Sequence, residues 1–264
     1  MAMGASAQAA EGLPVYKQGA LLGLTLLALS VVLEAVGFGI SGDWGGALVF
    51  GGAALVVTFL LAGLVLRFGA RAMIPVVILA LVVWFFIQGY NFYYELLHPE
   101  SFFDFIPSMI GLAGSVIVVT SGIVALRETR AHAVRFSPSA VERAVAGTIV
   151  VVLGVLFVVS GVLTVSGRST VSAQDKVGAL SVRMHKTEFS PEQIEVAGGE
   201  APRVVVENDD AFLHTFTMDD FAIDVTVRPG SEELIELPAL APGSYTYHCA
   251  VDGHESMKGT LEVQ

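Results

Sequence analysis

The segment Tyr245-Thr-Tyr-His-Cys-Ala-Val-Asp-Gly-His-Glu-Ser-Met257 holds the only cysteine of the chain, Cys249. His254 and Met257 follow this cysteine closely, and His214 lies about thirty-five residues upstream. A thiolate, two imidazoles and a thioether form the ligand set of a mononuclear blue-copper site, in which the methionine is a weak axial ligand. The sequence therefore predicts one type 1 copper ion per chain, bound by these four residues.

The region around this stretch has the pattern of a β-protein. Short segments alternate apolar and polar residues, and Gly-, Pro- and Asn-containing turns separate them. The predicted strands include 204–206, 222–227, 233–237 and 245–247. Seven or eight short strands in about ninety residues favour a Greek-key β-sandwich.

Four segments of this region together resemble the cupredoxin family. They are Phe189-Ser-Pro-Glu-Gln-Ile-Glu-Val196, Asn208-Asp-Asp-Ala-Phe-Leu-His-Thr-Phe216, Pro242-Gly-Ser-Tyr-Thr-Tyr-His-Cys249 and Met257-Lys-Gly-Thr-Leu-Glu-Val263. The resemblance covers nearly all of residues 178–264 and none of the preceding part. It implies His214 and His254 as equatorial ligands, Cys249 as the thiolate and Met257 as the axial ligand. It also implies single-electron transfer between Cu(I) and Cu(II) rather than the turnover of a substrate, so we do not expect an enzyme.

Two departures from the family pattern concern the surroundings of the site. Azurin-like and plastocyanin-like members often have asparagine directly after the first histidine, and Thr215 stands there in this chain. A binuclear copper centre requires a second cysteine on the ligand loop, where this chain has Gly253. The other histidines and methionines of the region are expected to be non-ligands and core residues, respectively: His185, His248, Met184 and Met218.

The composition divides the chain into two parts. Of its 264 residues, 54% are hydrophobic and 15% charged, which is too apolar for an ordinary soluble domain. Residues 1–167 carry eight acidic and seven basic residues, whereas residues 168–264 carry seventeen acidic and seven basic ones. The missing basic patch argues against nucleic acid as a partner. The acidic part either attracts a basic redox protein or is acidic only to remain soluble.

Five apolar stretches precede the β-region, and each is near the roughly 20 residues that a helix needs to cross a bilayer. They span approximately 18–40, 46–66, 72–94, 106–126 and 144–166. The predicted fold is a membrane all-α five-helix bundle followed by an all-β Greek-key sandwich. The expected divisions are a cytoplasmic tail (1–17), the helical domain (18–166), a linker (167–177) and the copper domain (178–264).

The distribution of basic residues predicts the orientation in a cell membrane, with membrane lipid as the surroundings of the helices. With the N-terminus in the cytoplasm, the outer loops contain only acidic charges, namely Asp43, Glu95, Glu100 and Asp104. All basic residues up to the fifth helix then lie inside: Lys17, Arg67, Arg71, Arg127, Arg130, Arg135 and Arg143. Because basic residues concentrate in cytoplasmic loops, the copper domain is expected on the periplasmic or extracellular side.

A group of polar residues is expected in the outer part of the first and third helices. We name it the outer polar cluster: Glu34, Gln88, Asn91 and Glu95. A carboxylate within a membrane is costly unless it is paired, so this cluster is either a pocket for a quinol, a proton or an ion, or an interfacial belt with hydrogen-bonded glutamate. The five spans contain no histidine, which excludes a bis-histidine haem.

Small residues predict which helix faces lie inside the bundle, because they allow helices to approach closely in lipid. The fourth stretch carries them at Ser108, Gly111, Ser115 and Gly122, and the fifth at Gly147, Gly154 and Gly161.

The leading hypothesis is a membrane-anchored type 1 copper protein that transfers single electrons at the outer membrane face. Its redox partner would be a cytochrome or a respiratory or photosynthetic complex, of which the chain is itself a candidate subunit. The alternative is a copper-binding protein for acquisition, storage or delivery. A tight loop with a thiolate ligand favours redox work, since delivery sites tend to be open and rich in methionine and histidine.

Overall fold

The N-terminal part of the chain is helical in the computed structural model, which describes residues 13–88, 92–128, 140–199 and 201–264. Its helices are α1 (Val15–Ile40), α2 (Trp44–Arg67), α3 (Met73–Gln88), α4 (Phe92–Leu97), α5 (Phe102–Glu128) and α6 (Ala140–Ser166). The prediction of five helices is therefore wrong for the described residues, because the third predicted stretch divides into α3 and the short α4. Between them the sequence has Gly89 and Asn91, which are poor helix formers.

Three of the helices are long and apolar enough to cross a membrane by length and composition. These are α1, α2 and the part of α5 from Phe102 to Arg127. Two shorter apolar helical stretches, Met73–Phe85 and Val150–Ser166, accompany them within the described residues.

Close contact between α1 and α5 organises the bundle. A Cβ atom added to Gly114 of α5 would lie 2.9 Å from the carbonyl oxygen of Gly23 of α1, so only glycine permits this approach. Further along α5, Ser108 and Ser115 are buried, as the small-residue pattern predicts. In α6 the expectation holds for Gly161, where an added Cβ atom would lie 3.8 Å from the ring of Phe102 of α5. It fails for Gly147 and Gly154, where such an atom would meet nothing within 4 Å among the described residues.

The C-terminal part of the chain is a two-sheet β-sandwich. One sheet has the strand order β2-β1-β4-β7 and the other the order β3-β9-β8-β5-β6. The strands are β1 (Leu180–His185), β2 (Glu188–Ser190), β3 (Gln193–Val196), β4 (Arg203–Asn208), β5 (His214–Met218), β6 (Ile223–Val227), β7 (Glu232–Glu236), β8 (Gly243–His248) and β9 (Lys258–Val263). The four predicted strands correspond to β4, β6, β7 and β8, with small differences at their ends.

The core of the sandwich lies between the two sheets and supports one end of β5 and β8. The rings of Phe216 and Tyr247 stack with centroids 4.9 Å apart, and both side chains are fully buried. Met184 and Met218 are buried in the same core, as predicted. This packing supports β5 and the β8–β9 connection. The predicted ligands lie at the start of β5 and in that connection.

The sandwich contacts the helices at one end of the bundle. The backbone N–H of Ala211 donates to Ser41 Oγ at 2.8 Å, just after α1, and that of Leu213 donates to Asp104 Oδ2 at 3.0 Å, in the first turn of α5. Arg228 donates to the carbonyl oxygen of Gly167, the residue after α6, at 3.2 Å. The ends of three helices are therefore held against the sandwich.

Candidate metal centre

Three of the four predicted ligands bring their donor atoms together. His214 begins β5, Cys249 directly follows β8, and His254 lies in the loop before β9. The two histidine Nδ1 atoms are 3.2 Å apart, and Cys249 Sγ lies 3.8 Å from Nδ1 of His214 and 3.5 Å from Nδ1 of His254. Two imidazole nitrogens and one sulfur thus form a small triangle.

The size of this triangle suits a metal ion. Its centre lies about 2 Å from each corner, close to the roughly 2.0–2.3 Å that imidazole nitrogen and thiolate keep from a first-row ion such as zinc. His214 and Cys249 are almost completely buried and His254 is partly exposed, so the ligand set lies just below the surface. Nitrogen and thiolate donors select soft or borderline transition metals over calcium or magnesium.

The fourth predicted ligand, Met257, is buried at the end of the same loop. Its side chain is 1% exposed and belongs to the same apolar core as Cys249. Its backbone N–H donates to the carbonyl oxygen of His254 at 2.8 Å, and its carbonyl oxygen accepts from the N–H of Cys249 at 3.0 Å. The loop backbone therefore fixes Met257 relative to both neighbouring ligands.

Asp210 orients the first histidine, and the sequence analysis did not find it. Its carboxylate accepts a hydrogen bond from His214 Nε2 at 2.8 Å, which leaves Nδ1 directed toward the cysteine. It also accepts from the backbone N–H groups of Lys186 at 2.7 Å and Thr187 at 2.9 Å. Such a partner fixes the ring orientation and tautomer of a metal-binding histidine. The acidic Asn208-Asp-Asp turn before His214 was the available signal.

Thr215, directly after the first histidine, connects strand β5 to the loop that carries His254. Its hydroxyl accepts from the N–H of Ala250 at 2.7 Å and pairs with the hydroxyl of Thr217 at 2.9 Å. Its backbone N–H donates to Cys249 Sγ at 3.4 Å. A donor to the sulfur stabilises the thiolate form.

The electrostatics of the site favour a thiolate. Burial alone would raise the pKa of Cys249, but hydrogen bonds and positive charge from His214 and His254 lower it to about 5. Burial opposes protonation of His214, yet hydrogen bonds to Asp210 and Cys249 raise its pKa to about 9. Burial would likewise raise the pKa of Asp210, but the hydrogen bonds from His214 and the backbone hold it below its usual value.

The two remaining histidines of the sandwich lie outside the group of donor atoms found in the described residues. Nδ1 of His185 is 3.9 Å from Asp210 Oδ1, and Nδ1 of His248 is 4.0 Å from Asp219 Oδ2. The outer polar cluster is described in part: Glu34 and Glu95 line a cavity that His254 also lines. Asn91 and the side chain of Gln88 lie outside the described residues.

Comparison with known proteins identifies the family of the C-terminal part. Residues 152–263, from the middle of α6 to the end of β9, match the family model of the cupredoxin-like domain. The β-sandwich within this match is a cupredoxin-like domain. Such a domain implies copper as its metal, and the donor atoms of His214, Cys249 and His254 are placed to form the site.

Several solved structures are similar to the cupredoxin-like domain. Auracyanin from Roseiflexus castenholzii is 19% identical over 33% of this chain and 97% of its own, with a TM-score of 0.29. Auracyanin A from Chloroflexus aurantiacus is 16% identical over 36% of this chain and 100% of its own, with a TM-score of 0.30. A variant of amicyanin is 22% identical over 33% of this chain and 84% of its own, with a TM-score of 0.27. The search of curated proteins gives no match.

Proposed function

We propose that the protein is a membrane-anchored electron carrier with one type 1 copper ion, bound by His214, Cys249, His254 and Met257. The observation that carries this proposal is the group of two Nδ1 atoms and one thiolate sulfur just below the surface, with edges of 3.2–3.8 Å. When bound there, copper supplies one-electron chemistry between Cu(I) and Cu(II). Three equatorial donors with a weak axial methionine are the ligand set of blue-copper electron-transfer sites.

The protein's own contribution is a site that keeps its shape. Asp210 holds the ring of His214, and Thr215 ties the strand to the ligand loop through Ala250. Because hydrogen bonds within the protein fix these groups, we expect little rearrangement to accompany a change of charge at the site. The burial of His214 and Cys249 excludes bulk water from two of the ligands.

The contacts between the helices and the sandwich support the proposed orientation in the membrane. The residues after α1, at the start of α5 and after α6 all contact the sandwich, and the sequence places these three positions on the outer side. At the predicted inner end, Lys17 donates to the carbonyl oxygen of Leu66 at 2.9 Å. Five spanning helices (α1, α2, α3, α5 and α6), with α4 at the outer surface, would leave the copper outside.

The redox partner is proposed to be a protein with a basic docking surface, such as a cytochrome or a subunit of a respiratory or photosynthetic complex. Residues 168–264 carry seventeen acidic and seven basic residues, so they attract positive surfaces at low ionic strength. Electron transfer to such a partner is expected to slow as salt is added, because salt screens these charges.

Spectroscopy of the full-length protein in detergent tests this proposal. After loading with Cu(II), the protein is expected to show an intense visible thiolate-to-copper band and narrow copper hyperfine splitting in the EPR spectrum, both bleached reversibly by a reductant. Cys249→Ser should remove both features, whereas the matched control Ser244→Ala on the exposed part of β8 should retain them. A colourless protein that holds Cu(I) without reversible oxidation would instead favour copper acquisition, storage or delivery.

A further inference from the structure

A cavity of about 200 Å³ lies between the outer end of the helical bundle and the metal centre. Helices α1, α4 and α5 form one side, and the loops of the cupredoxin-like domain form the other. His254, the partly exposed predicted ligand, lines this cavity. A molecule in the cavity would therefore lie beside the imidazole of His254, the least buried of the three grouped donors.

The walls of the cavity suit a single flat ring. Four aromatic side chains line it: Phe38, Tyr94, Phe103 and Phe212. Phe38 and Phe212 are themselves in contact across the interface, with ring centroids 4.8 Å apart. Pockets for drug-sized ligands occupy roughly 300–1,000 Å³, so this smaller cavity suits one substituted six-membered ring.

The bundle side of the cavity carries carboxylates that can accept hydrogen bonds and protons. Glu34 and Glu95 both line it. Glu95 accepts a hydrogen bond from the hydroxyl of Ser108, and burial raises its pKa to about 7, so it exchanges a proton near neutral pH. Asp104 also lines the cavity, but its carboxylate is engaged by the hydroxyl of Ser101 and the N–H of Leu213.

These features fit a hydroquinone better than a metal cation. Calcium takes six to eight oxygen ligands, whereas most side chains lining this cavity are aromatic or apolar. A hydroquinone presents a flat apolar ring to the aromatic walls and two hydroxyl groups that donate to the carboxylates. Its lipid-soluble forms partition into the bilayer that the apolar helices are proposed to cross.

We propose that the cavity binds the ring of a lipid-soluble hydroquinone, with Glu34 and Glu95 as hydrogen-bond acceptors and His254 at its opposite side. Binding of the ring does not depend on the proposed function. Only the transfer of its electrons to a copper ion rests on it. Oxidation of one hydroquinone to the quinone releases two electrons and two protons. A single bound copper ion would take up these electrons one at a time, provided that the redox partner oxidises Cu(I) back to Cu(II) after each step, and one proton would pass to each of Glu34 and Glu95.

Binding to the copper-free, full-length protein tests the cavity without any redox turnover. Under anaerobic conditions in detergent, tetramethylhydroquinone is titrated into the wild type, Glu34→Gln, Glu95→Gln and the control Glu100→Gln by calorimetry. Glu100 pairs with His98 at 2.9 Å and does not line the cavity. Because hydrogen bonds to charged acceptors are stronger than those to neutral ones, we expect about tenfold weaker binding for each cavity variant and unchanged binding for the control.

Absence of binding, or equal affinities in all four proteins, would overturn the inference. Displacement of the hydroquinone by millimolar Mg²⁺ would also overturn it, since the cavity would then be a cation site. The same preparations loaded with Cu(II) separate this result from the proposed function. A normal thiolate band without hydroquinone binding contradicts only the cavity assignment, whereas binding without the band contradicts only the copper assignment.

Discussion

Asp210 is the residue on which the geometry of His214 depends. One of its oxygens accepts from the N–H of Lys186, and the other accepts from the N–H of Thr187 and from His214 Nε2. Asparagine in its place would direct an NH₂ group toward at least one of these donors. We therefore expect Asp210→Asn to weaken copper binding by roughly 10–100-fold, the usual effect of removing a partner of a ligand. Copper titration against a competing chelator measures this.

The neighbouring Asp209 provides a matched control for this prediction. Its carboxylate forms an ion pair with Arg183 at 3.0 Å on the surface, a kind of contact that contributes only about 0–1 kcal/mol. Asp209→Asn should leave copper affinity unchanged. Equal losses in both variants would show that net charge, and not the orientation of His214, determines affinity.

The grouping of His214, Cys249 and His254 could be predicted from the sequence, but the residues that support this group could not. A lone cysteine, a histidine and a methionine on one short loop have few roles other than metal binding. Asp210 lies in an Asn-Asp-Asp run that equally predicts a turn, and its role depends on a contact with His214 Nε2 that spacing does not reveal. The same holds for Asp104, which lies 109 residues before its partner Leu213.

At the scale of elements, the packing of α1 on α5 depends on glycine at their crossing. In Gly114→Ala the new methyl group would lie 2.9 Å from the carbonyl oxygen of Gly23 and 3.1 Å from the backbone nitrogen of Leu27. The helices must separate, so we expect a loss of about 1–3 kcal/mol in the free energy of unfolding. Thermal unfolding in detergent measures the change.

Gly63 in α2 is the control for this substitution. A Cβ atom there would meet nothing within 4 Å, and alanine has the higher helix propensity. Gly63→Ala should be neutral or slightly stabilising. A loss as large as that of Gly114→Ala would show that glycine acts through the flexibility of the helices and not through their close contact.

Ser41 joins the end of α1 to the loop before His214. Ser41→Ala would leave the buried N–H of Ala211 without its acceptor, at a cost of about 1–3 kcal/mol. We expect the amide of Ala211 to exchange with solvent at least tenfold faster, as measured by hydrogen exchange. Ser160→Ala is the control, because the buried hydroxyl of Ser160 has no hydrogen-bond partner in the part of the chain that the structure describes. If the Ala211 amide exchanges equally slowly in Ser41→Ala and in the wild type, its hydrogen bond to Ser41 does not hold the interface together.

Sequence patterns alone could not predict all of the helix boundaries or which helix faces are packed. Hydropathy located the apolar stretches, but it could not separate α3 from α4, since aromatic residues continue the apolar run past Gln88. The glycines of α6 repeat every seven residues as those of a packed face do, yet within the described residues a Cβ atom at Gly147 or Gly154 would meet nothing within 4 Å. A periodic stripe indicates a possible contact face, and only the fold shows whether a neighbour covers it.

At the scale of the whole molecule, the cupredoxin-like domain and the helices meet at the metal centre. Asp104 and Ser41 bond to the two residues that flank Phe212, just before the ligand His214. Tyr94 of α4 packs against the core of the cupredoxin-like domain. The helices therefore shape the surroundings of the candidate metal centre, a role that composition alone did not indicate.

The most direct test of the account is the side of the membrane from which the copper centre can be reduced. The copper-loaded protein is prepared in sealed right-side-out and inverted vesicles, and a membrane-impermeant reductant, hexaammineruthenium(II), is added while the thiolate band is recorded. We expect the thiolate band to bleach rapidly in right-side-out vesicles. In inverted vesicles, we expect it to bleach only after detergent is added. Bleaching confined to intact inverted vesicles would place the copper on the cytoplasmic side and contradict the account.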